Sequence, residues 1–369
     1  MTETRAEVAR HGVTSLPDFP WDSLAAAKAR AAEHPDGIVD LSVGTPVDPT
    51  PEIVQDALRA GADAPGYPTT HGPEELRGEI AVWLARSRGV TIDPAAILPV
   101  IGTKELVAWL PTMLGLRGVI GFPSLAYPTY EVGALIAGAI PQRGDSTVGF
   151  GPLGPDLLWL NSPANPNGRV LGLEHLRKVA QWAQARGTIV VGDECYAGLE
   201  WTAPAPSLLA DAVCDRDHTG LLIVHSLSKR SNMAGYRFGF VAGDPALVER
   251  LLGVAKHAGM MVPAPIQAAA ATAYADDAHA AQQREVYRAR RESLVAALRG
   301  AGFRIDDSEA GLYLWVTAGE PCRDTVDWFA ERGILVAPGE FYGPAGAEHV
   351  RVALTASDER IAAAVERLA

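Results

Sequence analysis

Between about residues 95 and 245, short apolar runs recur, separated by amphipathic stretches, and this alternation constrains the fold more than any other feature. The runs AILPV (96–100), LLWL (157–160), TIVV (188–191), LLIV (221–224) and FGFVA (238–242) read as buried strands. Between two of them, EHLRKVAQWAQARG places Leu176, Val179, Ala180 and Ala183 on one helical face, and Gly187 suits the stop. Strands alternating with helices in this way predict an α/β fold.

Past residue 245 the texture changes to long helical segments rich in Ala and Arg, such as AAQQREVYRARRESLVAALRGAG, followed by short strand candidates in GLYLWV and HVRVAL. A chain of 369 residues has room for two domains. We expect a large domain over 41–250 and a smaller α+β domain over 251–369, which the N-terminal segment 1–40 joins.

Composition removes several functions. Net charge is −12, from 32 Lys+Arg against 44 Asp+Glu, which disfavours binding to nucleic acid, since phosphate neutralisation needs a basic face. No apolar stretch approaches the length of a membrane span, and the start MTETRAEVARHG lacks the core of a secretory signal, so a soluble protein of the cytoplasm is expected. Cys195, Cys214 and Cys322 are odd in number and widely spaced, and the nine histidines show no ligand spacing, so neither a disulfide framework nor a metal is expected.

In open parallel sheets, ligands bind beyond the carboxyl ends of the strands. Here those ends carry polar clusters: IGTKE after AILPV, NSPANPNG after LLWL, GDECY after TIVV and HSLSKR after LLIV. Gly102 and Thr103 fit either an ordinary helix cap or a phosphate site at a helix start. Asp193, after four apolar residues, needs a cation or a capping role. Lys229 fits either a surface position or a functional one, though a helix start is unfavourable for a cation. Together with Ser226, Ser228 and Arg237, these residues are what pyridoxal phosphate requires. A lysine of lowered pKa bonds its aldehyde, a carboxylate keeps the ring nitrogen protonated, and hydroxyls, amides and arginine hold the phosphate.

With Lys229 and Arg237 eight residues apart in SLSKRSNMAGYRFG, and with NSPANPNG and DECY, the chain resembles the fold-type I pyridoxal-phosphate aminotransferases of class I/II over nearly its whole length. At finer grain, LPDFPWDSL, VDLSVGTPVDPTP, FPSLAYPTYEVGA, KHAGMMVP and ERGILVAPGEFYGP are similar to the N-succinyldiaminopimelate aminotransferases of actinobacterial type. The resemblance implies a mostly parallel seven-stranded sheet flanked by helices. It implies that Lys229 bonds the cofactor and shuttles the substrate's proton, that Asp193 pairs with the ring nitrogen, and that Asn165 and Tyr196 bond the phenolic oxygen. Thr103 and Lys104 would lend backbone amides to the phosphate, beside Ser226, Ser228 and Arg237, while Tyr127 stacks on the ring. Arg351 would clamp the substrate α-carboxylate, with an amide from Gly44. A homodimer is implied, in which Tyr67 reaches the phosphate of the partner subunit.

Asn167 stands where that family's loop usually has threonine, and Arg230 is a cation the pattern does not demand; it either lowers the pKa of Lys229 or faces solvent. The connection GLRGVIGFP looks short and leaves the register of its strand open. Distal substrate groups fall to candidates such as Trp21, Lys104 and Glu105. The reaction implied is transfer of an amino group from glutamate to N-succinyl-2-amino-6-ketopimelate, on the route to diaminopimelate and lysine. Aminotransferases of other specificity and pyridoxal-dependent β-lyases share the same groups. A cofactor-sensing regulator would need a DNA-binding module for which the chain leaves no room.

Overall fold

The computed structural model describes residues 16–202 and 204–369. The N-terminal start on which a cytoplasmic location is expected lies outside them, as does the first part of the segment 1–40. A short strand β1 (Val39–Asp40) precedes β2 (Ile97–Val100), β3 (Val119–Phe122), β4 (Ile140–Arg143), β5 (Leu157–Asn161), β6 (Ile189–Asp193), β7 (Leu221–Ser226) and β8 (Gly239–Gly243). The seven strands after β1 form one sheet in the order β2-β8-β7-β6-β5-β3-β4. Strands β3 to β7 pair in parallel, and β8 is antiparallel to both β7 and β2. The chain passes from β3 out to the edge at β4 and returns to β5 on the other side of β3. Such a reversal opens a crevice at the carboxyl ends of the strands.

Both faces of the sheet are covered, which is why its central strands read as unbroken apolar runs. Leu158, Leu160, Val190, Leu221 and Ile223 face one helical layer, while Leu157, Trp159, Val191, Leu222 and Val224 face the other, the alternation a pleated strand imposes. The helix Leu173–Gln184 buries Leu176, Val179, Ala180 and Ala183, the face read from the sequence. Gly187 follows at φ +69°, a left-handed conformation that glycine adopts without strain. The helix Ala264–Ala275 sends Ala269, Ala270, Ala273 and Tyr274 into this same core, so the layer on the sheet continues past residue 250.

Two strands of the seven-stranded sheet were not among the apolar runs read from the sequence. In GLRGVIGFP, β3 settles its register by pairing Ile120 with Leu157 and Gly121 with Leu158. Edge strand β4 reads IPQR, with Ile140 exposed and a proline that only an edge tolerates, so it carries no hydrophobic run.

The rest of the chain adds the long helix Ala278–Gly300 and strands β9 (Arg304–Asp306), β10 (Tyr313–Thr317), β11 (Ile334–Leu335), β12 (Ala337–Pro338) and β13 (Val350–Ala353). Four of these form an antiparallel sheet, β12-β13-β10-β9, and β11 pairs in parallel with β1. Leu24, Ala31, Val39 and Leu41 share one apolar cluster with Tyr287, Leu314, Trp315 and Phe329 from this region. No described helix is long and apolar enough to cross a membrane.

Candidate active site

Three neighbouring strands end side by side. β5 ends at Asn161, β6 at Asp193 and β7 at Ser226. Asn161 shapes the turn-rich loop that follows it: its Nδ2 donates to the carbonyls of Pro163 (3.1 Å) and Asp193 (3.0 Å), and its Oδ1 accepts the Asn165 amide at 2.7 Å. Asn165 is thereby fixed, and its Oδ1 accepts a bond of 2.9 Å from Arg351, which reaches across from β13 and also donates to the Ser42 carbonyl at 2.7 Å. The Arg351 Nε is buried without a partner. Asn167 donates to Asp307 at 2.7 Å and so ties this loop to the turn after β9.

At the next strand end, Asp193 accepts from the Tyr130 hydroxyl (2.7 Å) and the Cys195 amide (3.1 Å). Burial raises its pKa, and these two bonds only partly oppose the rise. Among the described residues it has no cation within ion-pair distance. A buried carboxylate in that condition costs free energy until a positive group meets it.

Beyond β7, a four-residue helix (Leu227–Arg230) presents Lys229. The Ser226 hydroxyl accepts from the Ser228 amide at 3.0 Å and donates to the Ser228 hydroxyl at 2.8 Å, bracketing the turn. Burial lowers the Lys229 pKa; Arg351 and Arg237 lower it too, against Tyr313 and Cys195. Its amine donates to the Gly44 carbonyl. Arg237 holds φ +57°, a conformation that non-glycine residues adopt rarely, and its guanidinium packs where a Gly102 side chain would stand. Gly102 opens the helix Thr103–Met113 and no side chain caps its first turn, so amide donors stand available there.

A cavity of about 790 Å³ gathers these groups. It is lined by thirteen of the fifteen residues given a catalytic or binding role from the sequence: Trp21, Gly44, Thr103, Lys104, Tyr127, Asn165, Asp193, Tyr196, Ser226, Ser228, Lys229, Arg237 and Arg351. Tyr67 lies outside the cavity and is 98% exposed in the single chain. Glu105 also lies outside, against a separate small cavity with Pro99 and Met113. The helical turn carries it away from Thr103 and Lys104, which corrects its candidacy as a reader of distal groups.

Tyr130, Cys195 and Tyr313 are among the lining or supporting residues that were not foreseen. Tyr130 is the second tyrosine of AYPTY, buried between Trp159 (ring centroids 4.9 Å) and Tyr127 (5.9 Å) and bonded to Asp193. Cys195 sits between Asp193 and Thr103, its Sγ 3.3 Å from the Thr103 hydroxyl. Tyr313 lies under Arg351, whose guanidinium carbon is 3.9 Å from the ring centroid, and its hydroxyl is 3.1 Å from that of Tyr196. Burial alone would raise the Tyr313 pKa, yet Arg351, Lys229 and the bond from Tyr196 outweigh it and leave it lowered. Burial pushes the Tyr127 hydroxyl up to about 12, keeping that ring neutral. The only sequence signal for Tyr313 was its place in a strand candidate; its pairing with the Arg351 strand is a tertiary fact.

Arg230 is 6% exposed, which corrects the reading that it faces solvent. Its guanidinium turns away from Lys229 and donates to the carbonyls of Ala273 (2.6 Å) and Asp276 (3.1 Å), at the end of the helix Ala264–Ala275, and to Asp277 at 2.6 Å. A cation there satisfies carbonyls that helix termini leave free. Arg230→Ala is expected to lower stability by about 2 kcal/mol, less than a fully buried pair because Asp277 is half exposed. Denaturant titration measures that loss, and the pH dependence of cofactor attachment should stay as in the parent.

Among the described residues no cluster of three or more His, Cys, Asp or Glu is arranged to hold a metal. A family model described as aminotransferase class I and II matches residues 36–368. "Probable aminotransferase Rv1178" of Mycobacterium tuberculosis is 63% identical to this chain, over 98% of it and 88% of the relative. The 4-dedimethylamino-4-oxo-anhydrotetracycline transaminase OxyQ of Streptomyces rimosus is 56% identical over 96% of this chain and 99% of its own. Among solved structures, a probable N-succinyldiaminopimelate aminotransferase from Thermus thermophilus matches with a TM-score of 0.83 at 28% identity, covering 95% of this chain and 99% of that one.

Proposed function

The chain belongs to the class I and II aminotransferases, a pyridoxal-phosphate-dependent family, and on that premise we propose that it moves an amino group from glutamate to N-succinyl-2-amino-6-ketopimelate. The observation that carries the catalytic part is the buried Asp193 carboxylate without a cation, in one cavity with Lys229 and Arg351.

The residues present fit the cofactor. A protonated ring nitrogen is the positive group Asp193 lacks, and Arg237, Ser226, Ser228 and the uncapped amides of Thr103 and Lys104 suit a phosphate. Asn165 and Tyr196 are assigned to the phenolic oxygen and Tyr127 to the ring face. When bound, pyridoxal phosphate supplies an aldehyde for the amino group and a ring that accepts the electron pair released at the substrate α-carbon.

Lys229 holds the cofactor at rest and afterwards moves the proton at the substrate α-carbon. Its lowered pKa favours the neutral amine that this work needs. Arg351, already oriented by Asn165, Ser42 and the Tyr313 ring, offers its free Nε and remaining N–H groups to the α-carboxylate, assisted by the backbone at Gly44. Tyr196 shares its hydroxyl with Tyr313, which fixes its direction.

The succinylated acceptor finds support in the likeness to the Thermus protein and in a cavity whose charge is basic. The identity with OxyQ favours a second reading, in which the acceptor is a ring ketone such as an oxo-anhydrotetracycline. A homodimer completing each site with Tyr67 of the neighbouring copy belongs to the same proposal, and the exposure of Tyr67 supports it. Steady-state rates with glutamate and each of succinyl-ketopimelate, oxaloacetate, pyruvate, aromatic keto acids and the ring ketone decide among these. We expect succinyl-ketopimelate to give the highest kcat/KM, by about tenfold or more, as one well-placed charged contact allows. A preference for oxaloacetate or for the ring ketone would reject the assignment.

A further inference from the structure

Five basic side chains line the cavity (Lys28, Lys104, Lys229, Arg237 and Arg351) against two acidic ones, Asp40 and Asp193. That is an excess of three positive charges inside a chain of net charge −12. Arg237 and Arg351 are claimed by the cofactor phosphate and the α-carboxylate in the reading above, and Lys229 by the reaction itself. Lys28 and Lys104 are left over.

These two come from different elements, the helices Ala25–Ala32 and Thr103–Met113. Both are exposed to solvent and also line the cavity, which puts them at its open side. Among the described residues, neither has a carboxylate within ion-pair distance. Apolar rings stand beside Lys104: its ammonium is 5.5 Å from the Phe19 ring centroid, Phe19 is 5.5 Å from Trp21, and Trp21 is 5.3 Å from Phe341. The Trp21 indole N–H is buried without an acceptor. Unpaired ammonium groups with an idle N–H donor beside them suit an anion that arrives with the substrate.

We propose that Lys28 and Lys104, with Trp21, form a subsite at the mouth of the cavity that reads carboxylates at the far end of the substrate. This rests on the assignment of the cavity as an aminotransferase site. The substrate class is an amino or keto acid with one or two further carboxylates remote from the reacting carbon. A succinylated ketopimelate carries two there, one for each lysine. Flexible lysine stems follow a carboxylate whose position varies, whereas an arginine fork would demand one fixed geometry.

The test uses the holoenzyme with L-2-aminopimelate and L-2-aminoheptanoate as amino donors to 2-oxoglutarate, a pair that differs in the terminal carboxylate. We compare wild type with Lys28→Met, Lys104→Met and the double variant, which keep an apolar stem. Wild type is expected to prefer aminopimelate, and the double variant, with whichever single substitution removes the lysine that meets its one distal carboxylate, to cut the charged-to-uncharged ratio of kcat/KM roughly fivefold, the upper range for a partly exposed ion pair. A second measurement is independent of turnover: binding of pimelate to holoenzyme, followed by tryptophan fluorescence, weakens in the variants and loses salt dependence. If wild type prefers aminopimelate and the variants keep that ratio, the subsite is wrong and the aminotransferase reading stands. The subsite is equally wrong if both donors suffer alike, since the lysines then act through the cofactor or the fold. A wild type that uses glutamate but neither of these donors rejects the subsite alone, and one that transaminates none of the three removes the assignment beneath it.

Discussion

Lys229→Ala is expected to lower the rate of amino-group transfer from glutamate by more than about 10⁴-fold, the upper range for removing a positioned proton-transfer group. The geometry leaves no substitute amine. Lys28 and Lys104 line the cavity only at its open side, and Arg237 and Arg351 are assigned to the phosphate and the α-carboxylate. The loss falls on the chemical step rather than on assembly, because the variant keeps Arg237, Asp193 and the amides at the start of the helix Thr103–Met113 for cofactor binding. Rapid mixing of the loaded variant with glutamate, followed by the cofactor's absorption, separates the two. A variant within about tenfold of wild type would exclude Lys229 from proton transfer.

Asp193→Asn is expected to cut kcat by about 10²- to 10³-fold, the range for losing one charged partner in a water-excluded site. An amide cannot hold a proton on the ring nitrogen by charge. The same substitution is expected to stabilise the cofactor-free protein. Burial raises the folded-state pKa of Asp193, so its contribution to stability is most favourable at low pH and is lost as pH rises through that raised value. Above that value the carboxylate is charged and lacks a cation, a cost that asparagine avoids while still accepting from Tyr130. Melting curves of the empty and loaded forms measure this: the variant should melt above wild type when empty and lose the advantage when loaded. Unchanged kcat, or a lower melting point for the empty variant, contradicts the assignment.

Much of this site was legible because parallel sheets put chemistry where apolar runs stop. Asp193 and Lys229 stand just past runs that became β6 and β7, and the loop NSPANPNG follows β5. The buried face of the helix Leu173–Gln184 was legible for the same reason, since its period of 3.6 was uninterrupted. What sequence could not supply was partnership across the chain. Tyr130 and Tyr313 look like ordinary core aromatics until Asp193 and Arg351 are folded against them. Arg230 looks like a neighbour of Lys229, but consecutive residues on a helical turn point in different directions, and its partners lie more than forty positions onward. The large core's extension past residue 250 was hidden in an alanine-rich helix whose period offers little contrast.

The anchoring of Arg230 bears on time. Its guanidinium ties the turn after β7 to the end of the helix Ala264–Ala275, and Ser226 ties it again from the front. With its α-carbon held on both sides, Lys229 is left to move its amine by rotation about its own side-chain bonds rather than by displacement of a loop. On the proposed role, proton relay at this lysine needs no movement of the backbone, and a slow phase in turnover is expected at substrate entry past Phe19 and Trp21 or at product departure.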